Sequence, residues 1–297
     1  LALRFLEGSF TIGAFSLSIT MLMDLDGGHG RNMGAAGIAI GAGAALGAPI
    51  GGGLYAFGPL APILVSAVVL SVVAAVVSTL PDRTPDRTHS VGAALASLYR
   101  TPGLAVPFAF GFADRFAAGF FGLIGTFYFR DTFDLEPSGI GLLLACFFVP
   151  FAMLQYPFGA YSDRVGRVVP IVAGSAGFGI AILSVGIVPS VGTAAAAMFV
   201  VGVLGALVAP ATMALVTDLA APTERGAAMG GFNIFGSLGF LGGIVVGGWL
   251  AARYGYSIAF TVAGGLEIAI AVITLPVLLR IDPSPTAPPG VRDDEPP

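Results

Sequence analysis

Apolar residues in this chain come in blocks of about 20, the length that spans roughly 30 Å of hydrocarbon at about 1.5 Å per helical residue. Nothing else in the sequence narrows the possible folds so far. Nine such blocks are read, at roughly 1–23, 34–56, 60–80, 104–128, 139–158, 169–188, 192–217, 227–251 and 255–279. Composition supports the reading. Hydrophobic residues fill 56% of 297 positions and charged residues only 10%, with a mean hydropathy of +0.92. Soluble domains carry about 25% charged residues, and a soluble fold of this length has nowhere to hide so much apolar surface. The predicted class is an all-α membrane protein with about nine transmembrane helices.

The arginines orient the stack. All 13 basic residues are Arg. Alternate loops hold Arg31; Arg83, Arg87 and Arg100; Arg164 and Arg167; Arg225; and Arg280 with Arg292 in the tail, while the opposite loops hold Arg130 and Arg253. By the positive-inside rule the richer set is cytoplasmic. The expectation is a multi-pass protein of the cell membrane with a cytoplasmic C-terminus and, after an odd number of spans, an external N-terminus. The chain opens on Leu1-Ala2-Leu3-Arg4, already inside an apolar run and without a signal-peptide pattern. The expectation is a fragment with further chain upstream. The tail from Asp282 is polar and proline-rich and reads as disordered.

An internal repeat points the same way. Asp24-Leu25 and Arg31 recur as Asp218-Leu219 and Arg225, a shift from 24 to 218 of 194. Met33-Gly34 recurs as Met229-Gly230, and Gly43, Gly47, Gly51, Gly52 and Leu54 recur as Gly239, Gly243, Gly247, Gly248 and Leu250, at a shift of 196. The first and second spans thus repeat the seventh and eighth. The fourth to sixth have no partner here, which predicts three helices upstream of Leu1. Parallel six-helix repeats are a transporter architecture.

The most specific motif is Gly159-Ala-Tyr-Ser-Asp163-Arg164-Val-Gly166-Arg167, between the fifth and sixth spans. Gly159 permits close approach and Gly166 a tight turn. The bland alternative is an ordinary charged hairpin. The run resembles the loop motif G-x-x-x-D-R-x-G-R of the major facilitator superfamily, with Tyr161 a departure at the hydrophobic spacer. The resemblance implies a bundle of twelve helices in two six-helix halves, of which this chain covers the fourth to twelfth. It implies a partial N-terminal half over 1–80, an inter-half cytoplasmic loop over 81–103, a C-terminal half over 104–280 and a disordered tail over 281–297. It also implies that Asp163 and Arg164 latch one conformation from the cytoplasmic side.

In the second span, Gly43-Ala-Ala-Leu-Gly47-Ala48-Pro49-Ile-Gly51-Gly52-Gly53 forms a ridge of small residues where a second helix can approach, and Pro49 frees a backbone carbonyl. The ridge is similar to the antiporter motif G-x-x-x-G-P-x-x-G-G of the family's drug:proton exchangers. Pro49, Gly52 and Gly53 match it, while Ala44 and Ala48 replace its leading glycines. Its repeat partner is Gly239-xxx-Gly243-xxx-Gly247. In the family these helices line the interface between the halves. The alternative is generic close packing of membrane helices.

Ionisable residues inside the spans mark candidate coupling sites, because charge in a membrane helix faces a cavity or a partner. Arg4 and Glu7 share a helix face three residues apart, and Arg4-x-x-Glu7-Gly8 resembles the family's R-x-x-Q-G motif. The alternative is a static ion pair. Asp114 and Arg115 are adjacent, so they point about 100° apart and do not simply neutralise each other. Their candidate role is substrate or proton contact, and interhelical pairing is the alternative. Glu267 is a weaker candidate of the same kind. Gln155, Tyr156, Thr212 and Asn233 are candidate cavity-lining groups.

Cys146 is the single cysteine and excludes a disulfide framework. His29 and His89 sit in loops without metal-ligand spacing. No phosphate loop, nucleophile triad or basic nucleic-acid patch is present, so no cofactor, metal, nucleic-acid partner or enzymatic activity is expected. The expected function is secondary active transport by alternating access, as a monomer in the lipid bilayer, through proton-coupled efflux of small molecules. The alternatives are uptake of a metabolite such as a sugar or carboxylate, a transport-incompetent remnant, and a membrane-embedded enzyme, for which no catalytic constellation is found.

Overall fold

A computed structural model describes residues 18–19, 21–22, 25, 28–55, 57–58, 60–79 and 101–281, apart from the side chains of residues 44, 45, 47–49, 51–53, 55, 137 and 138. Arg4, Glu7, most of the first predicted span, most of the inter-half loop and the tail lie outside the described residues. So do the side chains of Ala44, Ala48, Pro49, Gly52 and Gly53.

The eight remaining blocks are all helical. We number them α1 His29–Tyr55, α2 Ala61–Val77, α3 Pro102–Phe133, α4 Pro137–Val165, α5 Val168–Val185, α6 Val191–Leu219, α7 Arg225–Tyr254 and α8 Tyr256–Ile281. Among the described residues, α3 to α8 are long and apolar enough to cross a membrane, and α2 is a shorter apolar helix. Local signals set several boundaries. Ser190 and Thr193 form a reciprocal cap at the start of α6. Gly166, at φ +85°, turns α4 into α5 through backbone space that a side chain disfavours.

The helix α3 is composite. A 3₁₀ turn over Pro102–Leu104 leads into Ala105–Phe120, a π turn over Phe121–Gly125 and a last stretch Thr126–Phe133. The Thr126 hydroxyl donates back to the Gly122 carbonyl at 3.2 Å within that irregular turn. The insertion matters because π turns re-aim side chains and often accompany function.

Packing follows residue size. On α7, Gly239 and Gly243 lie against the Phe112 and Phe116 carbonyls of α3, and Gly119 of α3 lies against the Phe240 carbonyl. Backbones this close leave no room for a Cβ. The Gly239–Gly243–Gly247 ridge therefore builds the α3–α7 pair. This corrects the expectation that it faces the other half of a bundle. A second stripe joins α1 to α4, where Gly30, Gly34, Gly37 and Gly41 meet Gly159, Gln155 and Ala152. The predicted ridge began at Gly43, which has open space around it. Gly43 is two residues beyond Gly41, about 200° around the helix, and so points elsewhere.

The interior holds three apolar clusters. One surrounds Phe120, Phe129, Phe260, Ile182 and Met198, and its Tyr128 hydroxyl donates to the Val185 carbonyl at 3.0 Å. A second gathers Met33 and Ala36 of α1 with Phe108, Met213, Val216 and Met229. A third lies around Phe110, Ile171, Leu215 and Leu278. The outer surface is apolar as well, with Leu142, Met153, Ile180, Trp249 and Ile273 exposed. Such a surface is suited to lipid, where apolar exposure carries no penalty.

Candidate functional site

Two features stand out, a cavity in the body of the bundle and a charged cluster at one end. The cavity has a volume of about 580 Å³ and is lined from α1, α3, α4, α5, α6 and α7. Phenylalanine is the commonest residue in its wall, with Phe121, Phe147, Phe151 and Phe240 among them. Its polar groups are Asp114 and Arg115 on α3, Gln155 on α4, Thr212 on α6, and Asn233 and Ser237 on α7.

Asp114 and Arg115 both reach this space. Among the described residues, neither charged head has a hydrogen-bond or ion-pair partner, although each feels the other's charge. An unpaired charge is costly at membrane depth unless a cavity or ligand meets it. The π turn follows directly, and its Phe121 and Gly122 are themselves in the wall. Gln155, Thr212 and Asn233 line the cavity as anticipated. Tyr156 does not, because its ring points outward and is exposed. Glu267 is also absent from the lining. It is buried between α8 and α5, where the Ser175 hydroxyl lies 2.5 Å from its Oε2.

The charged cluster ties α1 to α4, α5 and α6. Asp163, near the end of α4, accepts hydrogen bonds from the backbone N–H groups of Gly30 at 2.7 Å and Arg31 at 2.8 Å. A carboxylate at a helix N-terminus satisfies donors that have no partner inside the helix. Gly159, one turn earlier, lets the two backbones touch. Arg167 then bridges two acids. Its Nη1 is 2.8 Å from Asp163 and its Nε is 2.7 Å from Asp218 at the end of α6. The same Nη1 donates to the Ser162 hydroxyl at 2.7 Å. The Arg167 side chain is only 5% exposed. His29, the first residue of α1, closes the ring at 2.6 Å from Asp218. An ionised Asp218 only accepts, so His29 Nδ1 is the donor.

The cluster changes the roles expected from sequence. Asp163 is at its centre, and Gly159 and Gly166 shape it. Arg164 takes no part and is exposed, because the helix turns its side chain away from α1. Arg167, which follows the Gly166 turn at the start of α5, provides the cation. His29 and Asp218 were missed as a pair. They lie 189 positions apart, and no local pattern links them, although the repeat had marked Asp218.

The remaining arginines sort to the two ends. Arg31, Arg164 and Arg225 lie at the cluster's end of their helices, while Arg130 lies at the opposite end. There its Nε donates to Asp131 at 2.8 Å, and the Tyr256 hydroxyl donates to Asp131 at 2.6 Å.

A bundle of apolar helices around a lined cavity, with paired charges across helix ends, is an architecture found among membrane transport proteins. The comparisons agree. The sequence model of the Major Facilitator Superfamily matches residues 106–297. An uncharacterised transporter of this type from Methanocaldococcus jannaschii is 31% identical over 163 residues, 55% of this chain and 42% of the relative. Multidrug resistance protein MdtG of Serratia proteamaculans is 30% identical over 46% of this chain and 33% of its own. Multidrug resistance protein 2 of Bacillus subtilis is 30% identical over 50% and 37%. The chain thus spans well under half the length of these relatives. The crystal structure of the human organic anion transporter MFSD10 superposes with a TM-score of 0.75 at 18% identity, covering 87% of this chain and 67% of that one. The chain belongs to the Major Facilitator Superfamily and carries its helical fold.

Proposed function

We propose that the protein exports small amphipathic molecules in exchange for protons, by alternating access. The observation that carries this reading is Asp114, a carboxylate without a hydrogen-bond or ion-pair partner among the described residues, in a phenylalanine-lined cavity next to Arg115. A protonated Asp114 leaves the Arg115 guanidinium uncompensated in the cavity, and an ionised Asp114 balances it. An ionised Asp114 offers a negative charge beside aromatic walls, which suits a ligand with an apolar body and a polar head. The multidrug-resistance names of two relatives support efflux.

The cluster around Arg167 is the latch of this proposal. It joins α1, in a partial N-terminal half over 1–80, to a C-terminal half over 104–280. The arginine-rich end is assigned to the cytoplasm of a cell-membrane protein that works as a monomer. Closure there shuts the cavity on that side, and breaking the cluster lets the halves rock apart. Asp163→Asn keeps the side-chain shape but removes the charge opposite Arg167. We expect transport to fall about tenfold with normal membrane insertion, the scale of one lost charge-assisted contact. Full activity in that variant would sink the latch role.

The coupling test uses the protein expressed from its complete reading frame and reconstituted in vesicles. An imposed proton gradient should drive uptake of a fluorescent amphipathic dye. Asp114→Asn should leave a flux insensitive to the gradient. Equal flux with and without the gradient in the unmodified protein would remove the proton role. Arg115 favours a second reading, transport of a carboxylate metabolite, and MFSD10 is named an organic anion transporter. In that case Arg115→Ala abolishes flux of an organic acid that Asp114→Asn leaves intact.

A further inference from the structure

Glu267 has no place in the cavity or the latch, and its surroundings are unusual. It lies midway along α8 and is 1% exposed. Its Oε1 has no hydrogen-bond partner, and its Oε2 is 2.5 Å from the Ser175 hydroxyl of α5. Gly179 of α5 packs against the Gly264 carbonyl and the Glu267 Cβ, which holds the two helices close.

Among the described residues, no cation is paired with it. On α5 the one polar group facing it is Ser175, and that helix contains no ionisable residue. The ionisable residues of α7 are Arg225, Arg253 and Tyr254, at its two ends. On α8 itself, Tyr256 and Arg280 stand 11 and 13 residues away, at the helix ends. From α3 the group whose charge reaches it is Asp114, another carboxylate. Arg115 is the neighbour of Asp114 in the cavity.

A bare carboxylate with one unmet oxygen, no paired cation and a like charge nearby is strongly disfavoured in hydrocarbon. The neutral acid suits the site. Its O–H donates from Oε2 to the Ser175 Oγ, and Ser175 turns its own hydrogen toward the Glu267 main-chain carbonyl, 3.5 Å from Oγ. The orphaned Oε1 is then the carbonyl oxygen of a neutral group, which is far cheaper to leave unmet than half of an anion.

We propose that Glu267 is a second proton-binding site, held by Ser175 and tied electrostatically to Asp114. Its place in transport rests on the proton-coupled reading: where the charge of one carboxylate reaches another, ionising one disfavours ionising the other. Substrate binding at Asp114 then alters the proton held at Glu267, outside the cavity that the substrate occupies. The transfer is a proton exchange between a carboxyl oxygen and water, with no bond to the substrate.

The test is infrared spectroscopy on the reconstituted protein from its complete reading frame. A protonated carboxyl absorbs apart from a carboxylate and from amides. We expect at neutral pH a carboxylic-acid band that is lost in Glu267→Gln and moves to higher frequency in Ser175→Ala. The pH at which the band disappears shifts in Asp114→Asn. Absence of the band, or a band unmoved in both Ser175→Ala and Asp114→Asn, overturns the proposal whatever the flux. Ser175→Ala keeps the test open if Glu267→Gln fails to fold. A band that behaves as expected in a protein whose flux ignores the proton gradient would defeat the coupling reading and leave the binding site standing.

Discussion

Replacing Arg167 with Ala is expected to open the contact between α1 and the ends of α4 and α6. Arg167 is the shared cation of Asp163 and Asp218, at 2.8 and 2.7 Å, and is almost wholly buried. Removing it leaves two carboxylates facing each other in a site with little water. Breaking a buried pair in this way costs about 3–5 kcal/mol. On a two-state latch that is about two to four powers of ten in the closed population. His29 and the α1 N-terminus compensate only in part, because each contacts one of the two acids. Arg167→Lys keeps the charge but not the fork that reaches both acids, and should fall between Ala and the unmodified protein. Arg164→Ala, by contrast, should change little, since that side chain is exposed and outside the cluster. Flux of all three variants, normalised to protein in the membrane, checks the order.

The second large effect is expected at Gly159. A Cβ there would be built onto the Gly30 carbonyl, and that backbone has no flexible end with which to yield. Gly159→Val should force α1 away from α4, at about 1–3 kcal/mol for the overpacking alone. It should also pull Gly30 and Arg31 off Asp163, so the latch weakens without loss of a charge. Gly265→Ala is the matched control, because nothing lies within 4 Å of the Cβ it would gain. Thermal unfolding in detergent should separate the two, with a clear fall for Gly159→Val and no change for Gly265→Ala.

Most of the fold was legible because lipid makes its demands on every residue. The predicted block 192–217 and the helix Val191–Leu219 differ by two residues at most at either end. The block 255–279 likewise became Tyr256–Ile281. Hydropathy has this resolution because a helix in hydrocarbon cannot end where its residues are still apolar. The π turn at Phe121–Gly125 was invisible, since the apolar run continues through it. Pairing between helices was only partly readable. Small residues mark where a helix can be approached but not by which neighbour. The Gly239 ridge thus met α3, and the working stripe on α1 began at Gly30 instead of Gly43. In the site, Asp114 and Arg115 were legible because adjacent charges in a membrane helix need a cavity. The roles of Arg167 over Arg164, and of His29 with Asp218, depended on side-chain direction and on contacts across 189 positions, which one sequence does not encode locally.

The central claim is that the Arg167 cluster opens and closes as the cavity changes sides. It is tested most directly by placing spin labels at the exposed positions Ala35 on α1 and Thr223 between α6 and α7, in the reconstituted protein with Cys146 replaced by Ser. A short and a long distance population are expected, with a ratio that changes with pH and substrate and moves to the long distance in Arg167→Ala. One population, unchanged by pH, substrate and the loss of Arg167, would contradict it.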